Sequence, residues 1–154
     1  MKTRTILAFL AVLFLGVALC LAADANMGTW KLNEAKSKLA PGAAKLNTVV
    51  YAAAGDAVKI TVDGVSSDGK PTHNEWTGKY DGKDYPVTGD PTSDARAYTK
   101  VDDRTLDFAV KNGGKTIVTG RVAVSADGKS RTVTTTATDS TGKKVTSMAS
   151  YDKQ

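Results

Sequence analysis

Apolar and polar positions alternate along most of the chain. Val58, Ile60 and Val62 share one parity, against Lys59, Thr61 and Asp63 on the other. Leu106, Phe108 and Val110 stand against Thr105, Asp107 and Lys111. Thr116, Val118, Gly120, Val122 and Val124 stand against Lys115, Ile117, Thr119, Arg121 and Ala123. A period of two gives each segment one dry and one wet face, the signature of a half-buried β-strand. Turn signals separate the segments: Ser67-Asp68-Gly69-Lys70, Tyr80-Asp81-Gly82-Lys83, Asn112-Gly113-Gly114-Lys115, Ala126-Asp127-Gly128-Lys129 and Ser140-Thr141-Gly142-Lys143. Asp-Gly and Asn-Gly pairs supply the positive φ that tight hairpins need.

The spacing predicts strands over 28–33, 46–54, 57–65, 71–80, 83–88, 94–101, 104–111, 115–125, 129–138 and 143–152. Glu34 to Leu39 predicts a turn or two of helix, ended by Pro41-Gly42. Pro86 and Pro91 demote their segment to a short edge strand plus loop. Hairpin after hairpin places sequence neighbours side by side. A long meander has two unpaired edges unless it curls and closes. The expected fold class is therefore all-β, an up-and-down antiparallel meander barrel of about 8–10 strands with at most one short helix. An open or flattened sheet fits the same alternation.

The beginning of the chain follows a different pattern. Lys2 and Arg4 precede an uncharged run from Thr5 to Ala23. Two cations, an apolar stretch and then small residues form a secretory leader. Ala23-Asp24-Ala25 offers cleavage before Asn26, and cleavage after Ala22 is the alternative. The expected division is a signal peptide over 1–25 and one barrel domain over 26–154, exported to the periplasm or beyond the cell. A membrane anchor of borderline length and a lipoprotein attached at Cys20 are competing readings. Leu19 is bulky at the position where lipoprotein signals favour a small residue. Cys20 is the only cysteine, so the remainder has no thiol, disulfide or Cys-bound metal. It is expected not to insert stably in a membrane once the leader is removed, and to act as a monomer.

Charge and chemistry then narrow the function. The 21 basic and 16 acidic residues give a net charge of +5; the leader through Ala25 holds Lys2, Arg4 and Asp24, leaving +4 on residues 26–154. The signs are interleaved, as in Lys100, Asp102, Asp103 and Arg104, which is the pattern of solvated strands and turns. No nucleic-acid partner is expected. His73, the only histidine, makes an H-x-E with Glu75, but the P-C-x-x-C that completes a zinc deaminase site is absent. No metal and no cofactor are expected. Gly64-Val65-Ser66-Ser67-Asp68-Gly69 has the wrong spacing for a serine elbow. Glu34 and Glu75 are the only glutamates, which argues against paired-carboxylate glycoside chemistry. The expectation is a protein without catalytic residues.

At Gly28-Thr29-Trp30-Lys31-Leu32 the sequence resembles a known group. A G-x-W opening a meander of this length resembles the lipocalins, and the fuller segment resembles the first strand of the intracellular fatty-acid-binding proteins. Ala149-Ser150-Tyr151-Asp152-Lys153-Gln154 is similar to their closing strand. Lys79-Tyr80-Asp81-Gly82-Lys83-Asp84-Tyr85-Pro86-Val87-Thr88-Gly89 resembles small exported bacterial lipocalin-like proteins of unknown role. The resemblance implies a calycin-type barrel with Gly28, Trp30 and Lys153 closing one end. The Lys153 cation is placed over the Trp30 ring. Fatty-acid-binding proteins hold a carboxylate with an Arg two residues before the last-strand Tyr. Here Tyr151 follows Ala149, so that mode of binding does not carry over.

Small inward residues fit a lumen that stays open and equally a narrow barrel that is filled. Trp76, Tyr98, Phe108 and Tyr151 are the candidate apolar contacts for a small, largely apolar ligand. Arg96, Arg121 and Arg131 all fall in strands; mid-strand Arg121 is the candidate for a ligand carboxylate if it points inward, and an outward, solvated arginine is the alternative. The expected function is small-ligand binding in the lumen. The alternative is an envelope or surface module that binds protein or polysaccharide through its outer strand face.

Overall fold

The fold is that of a computed structural model, which describes residues 24–139 and 141–154. The leader over 1–23, with Cys20, lies outside the described residues. Ten strands follow one another: β1 (Gly28–Leu32), β2 (Lys45–Ala54), β3 (Ala57–Val65), β4 (Pro71–Gly78), β5 (Tyr85–Thr88), β6 (Ala95–Lys100), β7 (Thr105–Asn112), β8 (Lys115–Val124), β9 (Ser130–Thr138) and β10 (Lys144–Lys153). Each pairs antiparallel with its sequence neighbour, and β1 pairs with β10, so the meander closes into a barrel. Closure rests on three registered pairs: Trp30 with Lys153, Lys31 with Asp152 and Leu32 with Tyr151. No sheet edge remains along the pairing order, which removes the edge problem of an open meander.

The expected strands are all present, with ends shifted by a residue or two in most cases. The helix expected over Glu34–Leu39 is a single 3-10 turn, Glu34–Lys36, capped by Asn33 Oδ1, which accepts from the Lys36 N–H at 3.2 Å. The edge-strand expectation for Pro86 is corrected. β5 is paired on both sides, with only two registered pairs to β4 and two to β6. In a closed barrel, a proline is tolerated where the ladder is this short. The expected 71–80 strand stops at Gly78, where the Tyr85 ring occupies the space a side chain would need.

The barrel has two unlike ends. One gathers the turns after β2, β4, β6 and β8 together with the start of β1 and the end of β10. Trp30 fills it, fully buried, with its indole N–H donating to the Asn26 carbonyl at 2.7 Å. The other end gathers the loops after β1, β3, β5, β7 and β9. Between them, Val49, Ile60, Val62, Leu106, Val122 and Val124 form the buried apolar wall.

Candidate functional site

The inner wall encloses a cavity of about 400 Å³. Its sides are Val49, Ile60, Val62, Val122, Val133 and Ala149; its far rim is Leu39, Leu46 and the loop Gly89–Thr92. The side chains are short because β9 and β10 present Thr, Val and Ala inward. A barrel wall of such residues leaves room for a guest. Gly89 lets the rim loop cross β4 closely: its φ is +80°, and a Cβ there would meet the His73 carbonyl oxygen at 2.5 Å.

An aromatic ladder lines one side. The Tyr98 ring lies 5.4 Å from Phe108 and 4.7 Å from Trp76, which packs edge-on to Tyr85 at 5.8 Å. Such offset and tilted contacts are favourable beyond the area they bury. Gly120 stands directly opposite Phe108 in the ladder, and its missing side chain makes room for the ring, since a Cβ would approach Phe108 Cζ to 2.4 Å. Of the four aromatic candidates, Tyr98, Phe108 and Tyr151 face the cavity. Trp76 is buried behind them, donating its indole N–H to the Arg96 carbonyl at 3.0 Å, and does not line the cavity.

The arginines divide differently from the expectation. Arg121 lies on the outer wall, its Nε and Nη2 donating to the two Asp107 carboxylate oxygens at 2.6 and 2.9 Å. Those bonds hold the Asp107 carboxyl below the usual carboxylate range. The physical reason is parity: on β8, Val118 and Val122 take the inner wall, so Arg121 cannot. Inside stand Arg96 and Arg131. Arg96 Nη2 meets Asp90 Oδ2 at 3.2 Å. Burial pushes the Asp90 carboxyl up, but hydrogen bonds from Ser93 and Thr92 and the Arg96 charge outweigh it, and the net direction is down. Asn74, also on the wall, keeps a side-chain oxygen without a partner among the described residues.

Arg131 is 2% exposed and lines the cavity near the Trp30 end. Its guanidinium carbon lies 4.7, 4.8 and 5.0 Å from the ring centroids of Trp30, Tyr51 and Tyr151. Tyr151 is its cross-strand partner on β10. Nε and Nη1 have no hydrogen-bond partner among the described residues. Burial raises the Tyr151 hydroxyl to about 12, with Arg131 pulling the other way, and raises Tyr98 further. Both phenols therefore remain protonated at neutral pH. Lys153 Nζ lies 5.1 Å from the Trp30 ring centroid, and its stem passes where a Gly28 side chain would stand.

Arg131 is the functional side chain that the choice of Arg121 passed over. The same alternation that puts Arg121 outside puts Arg131 inside with Val133 and Thr135. The signal was weak because Thr occupies both parities of β9, so the strand shows little contrast.

On the outer wall, His73 Nδ1 and Asp63 Oδ1 stand 2.6 Å apart across β3 and β4, with Glu75 Oε1 3.7 Å from Nε2. The hydrogen bond to Asp63 raises the His73 pKa. Among the described residues, no three His, Cys, Asp or Glu side chains are grouped to hold one ion.

No family model matches the chain, and no curated protein matches it in sequence. A solved structure of EF1p2_mFAP2b bound to DFHBI is similar at 12% identity with a TM-score of 0.49, over 86% of this chain and 97% of that one. The functional reading therefore rests on this chain's own lumen.

Proposed function

We propose that the chain is an exported, non-catalytic binding protein that holds a small, largely apolar molecule in its barrel lumen. One observation carries this reading: a closed barrel with an internal cavity of about 400 Å³, walled by short apolar side chains. Small-molecule sites have volumes of roughly 300–1,000 Å³ and are mostly apolar with a few placed polar groups. Asn74, Arg96, Arg131 and the lumen tyrosines are those groups here. The apolar run over residues 5–23 supports export. The Trp30 plug and the ten-strand meander support the lipocalin-like reading. His73 and Glu75, the H-x-E pair, belong to the outer wall and not to the cavity lining.

The alternative, an interaction module using the outer face, has weaker support. The outer wall of β7, β8 and β9 is a shallow groove of Thr119, Thr134 and Thr136 beside the Arg121–Asp107 pair. Its charges already satisfy each other and are exposed to solvent. Native mass spectrometry of the chain purified gently from its own host tests the lumen reading. The expected result is a retained small molecule that Ala149→Trp, which fills the lumen, abolishes. Both proteins appearing at their bare polypeptide masses would contradict it.

A further inference from the structure

We infer that the lumen selects a ligand with a single anionic oxygen head, of the carboxylate or sulfonate class, which enters head first and is held by Arg131 at the plugged end. This rests on the lumen-binding reading above and specifies the chemistry of its ligand.

Three charged side chains line the cavity: Asp90, Arg96 and Arg131. The first two face each other at 3.2 Å, so their charges offset one another. Arg131 forms no ion pair among the described residues, and the lining carries a net +1. Arginine keeps its charge in proteins. A buried, unpaired cation is costly, and the cost is recovered when an anion joins it.

The aromatic rings around Arg131 do not remove this demand. Trp30, Tyr51 and Tyr151 attract the cation through their π faces. They offer no oxygen to the N–H groups, and Nε and Nη1 are left without an acceptor. A carboxylate or sulfonate oxygen supplies the charge-bearing acceptor that the rings lack. The neighbouring tyrosines stay protonated in this buried setting, so they supply donors and not a countercharge.

Position gives the orientation. Arg131 is the second residue of β9, at the Trp30 end of the cavity. The apolar sides, Val62, Val122 and Val133, run from there towards the rim at Leu46 and Gly89. A ligand with its charge at Arg131 has its body along that wall and its tail at the rim. A net +1 matches one negative charge and not two, which disfavours a phosphate dianion.

The test uses the full chain and two probes that differ in one group: 1-anilinonaphthalene-8-sulfonate and its neutral parent, N-phenyl-1-naphthylamine. Both are followed by fluorescence. The unmodified protein binds the sulfonate about tenfold or more tighter, as a charge-assisted hydrogen bond requires. Arg131→Gln removes the preference, Arg131→Lys retains part of it, and Arg121→Gln changes neither probe. In the unmodified protein, the Arg131 Nε–H resonance moves with the sulfonate and not with the neutral probe, a readout that needs no variant to fold. Equal binding of the two probes, or an Arg121→Gln loss as large as that of Arg131→Gln, overturns the inference and leaves the lumen reading standing. Failure of both probes to bind overturns both.

Discussion

Arg121 and Arg131 sit on opposite walls of one barrel, and the comparison shows how the two surfaces are built. Outside, Arg121 faces Asp107 directly across β7 and β8 and makes two hydrogen bonds to it. Inside, Arg131 faces Tyr151 across β9 and β10 and meets aromatic rings only. The outer wall settles its charges locally: Lys59 with Glu75 at 2.8 Å and Lys111 with Asp84 at 2.8 Å follow the same rule. The inner wall leaves one charge without its counterpart. A chain selected only to fold would gain from an apolar residue there. A buried cation without a charged partner therefore stands there at a cost in stability.

The comparison can be broken at several points. The largest effect is expected where the two walls meet, at the plug. Trp30→Ala removes the fully buried ring that closes one end and carries both Arg131 and Lys153 against it. Chemical denaturation should show a loss of about 3–5 kcal/mol; a loss below about 1 kcal/mol would mean the plug is not part of the core.

Gly120→Val comes next. Its Cβ meets the Phe108 ring, so Phe108 must move. A destabilisation of about 1–3 kcal/mol is expected, with weaker binding of the neutral probe as the ring is displaced. Unchanged binding would show that Phe108 does not shape the cavity.

The arginines themselves sharpen the contrast. Arg121→Gln should cost about 0.2–1 kcal/mol, the worth of an exposed pair. Arg131→Met exchanges an unpaired buried cation for an apolar chain and should cost no more than about 1 kcal/mol. A loss above about 3 kcal/mol for Arg131→Met, in an unfolding titration, would make Arg131 a structural residue.

The smallest effect concerns the outer wall alone. His73 is the sole histidine, so its NMR titration is a single curve. Its midpoint should lie above the ordinary histidine value, with the Asp63 hydrogen bond as first cause, and Asp63→Asn should lower it. A raised histidine contributes stability below its unfolded pKa and loses it as pH rises through the folded one. Because His73 is exposed, the shift should appear in the NMR curve and scarcely in melting temperature.

Much of this architecture is legible in the sequence. Alternation at Val58-Ile60-Val62 and Leu106-Phe108-Val110, with Asp-Gly and Asn-Gly between strands, gives nearly every strand and its facing. Periodicity describes each strand separately, so closure was harder to read: an open sheet has the same pattern. Closure depends on the long-range pairs Trp30 with Lys153 and Leu32 with Tyr151, and only the cost of two open edges and the resemblance at the two chain ends pointed to it. The polar part of the site was not legible. Arg121 is prominent in a strand of clear contrast, but that contrast places it outside. Arg131 lies where Thr132, Thr134 and Thr136 are as compatible with one face as Val133 and Thr135 are with the other. Asn74 and Asp90 reach the lumen through a strand and a loop whose register no local pattern fixes.

Methyl NMR of the full chain titrated with N-phenyl-1-naphthylamine tests the occupied-lumen reading most directly. The Val62, Val122, Val133 and Ala149 methyls should shift, while Ala109 and Ala123 on the outer wall stay in place. Shifts confined to the outer wall, or none at all at saturating probe, would contradict it.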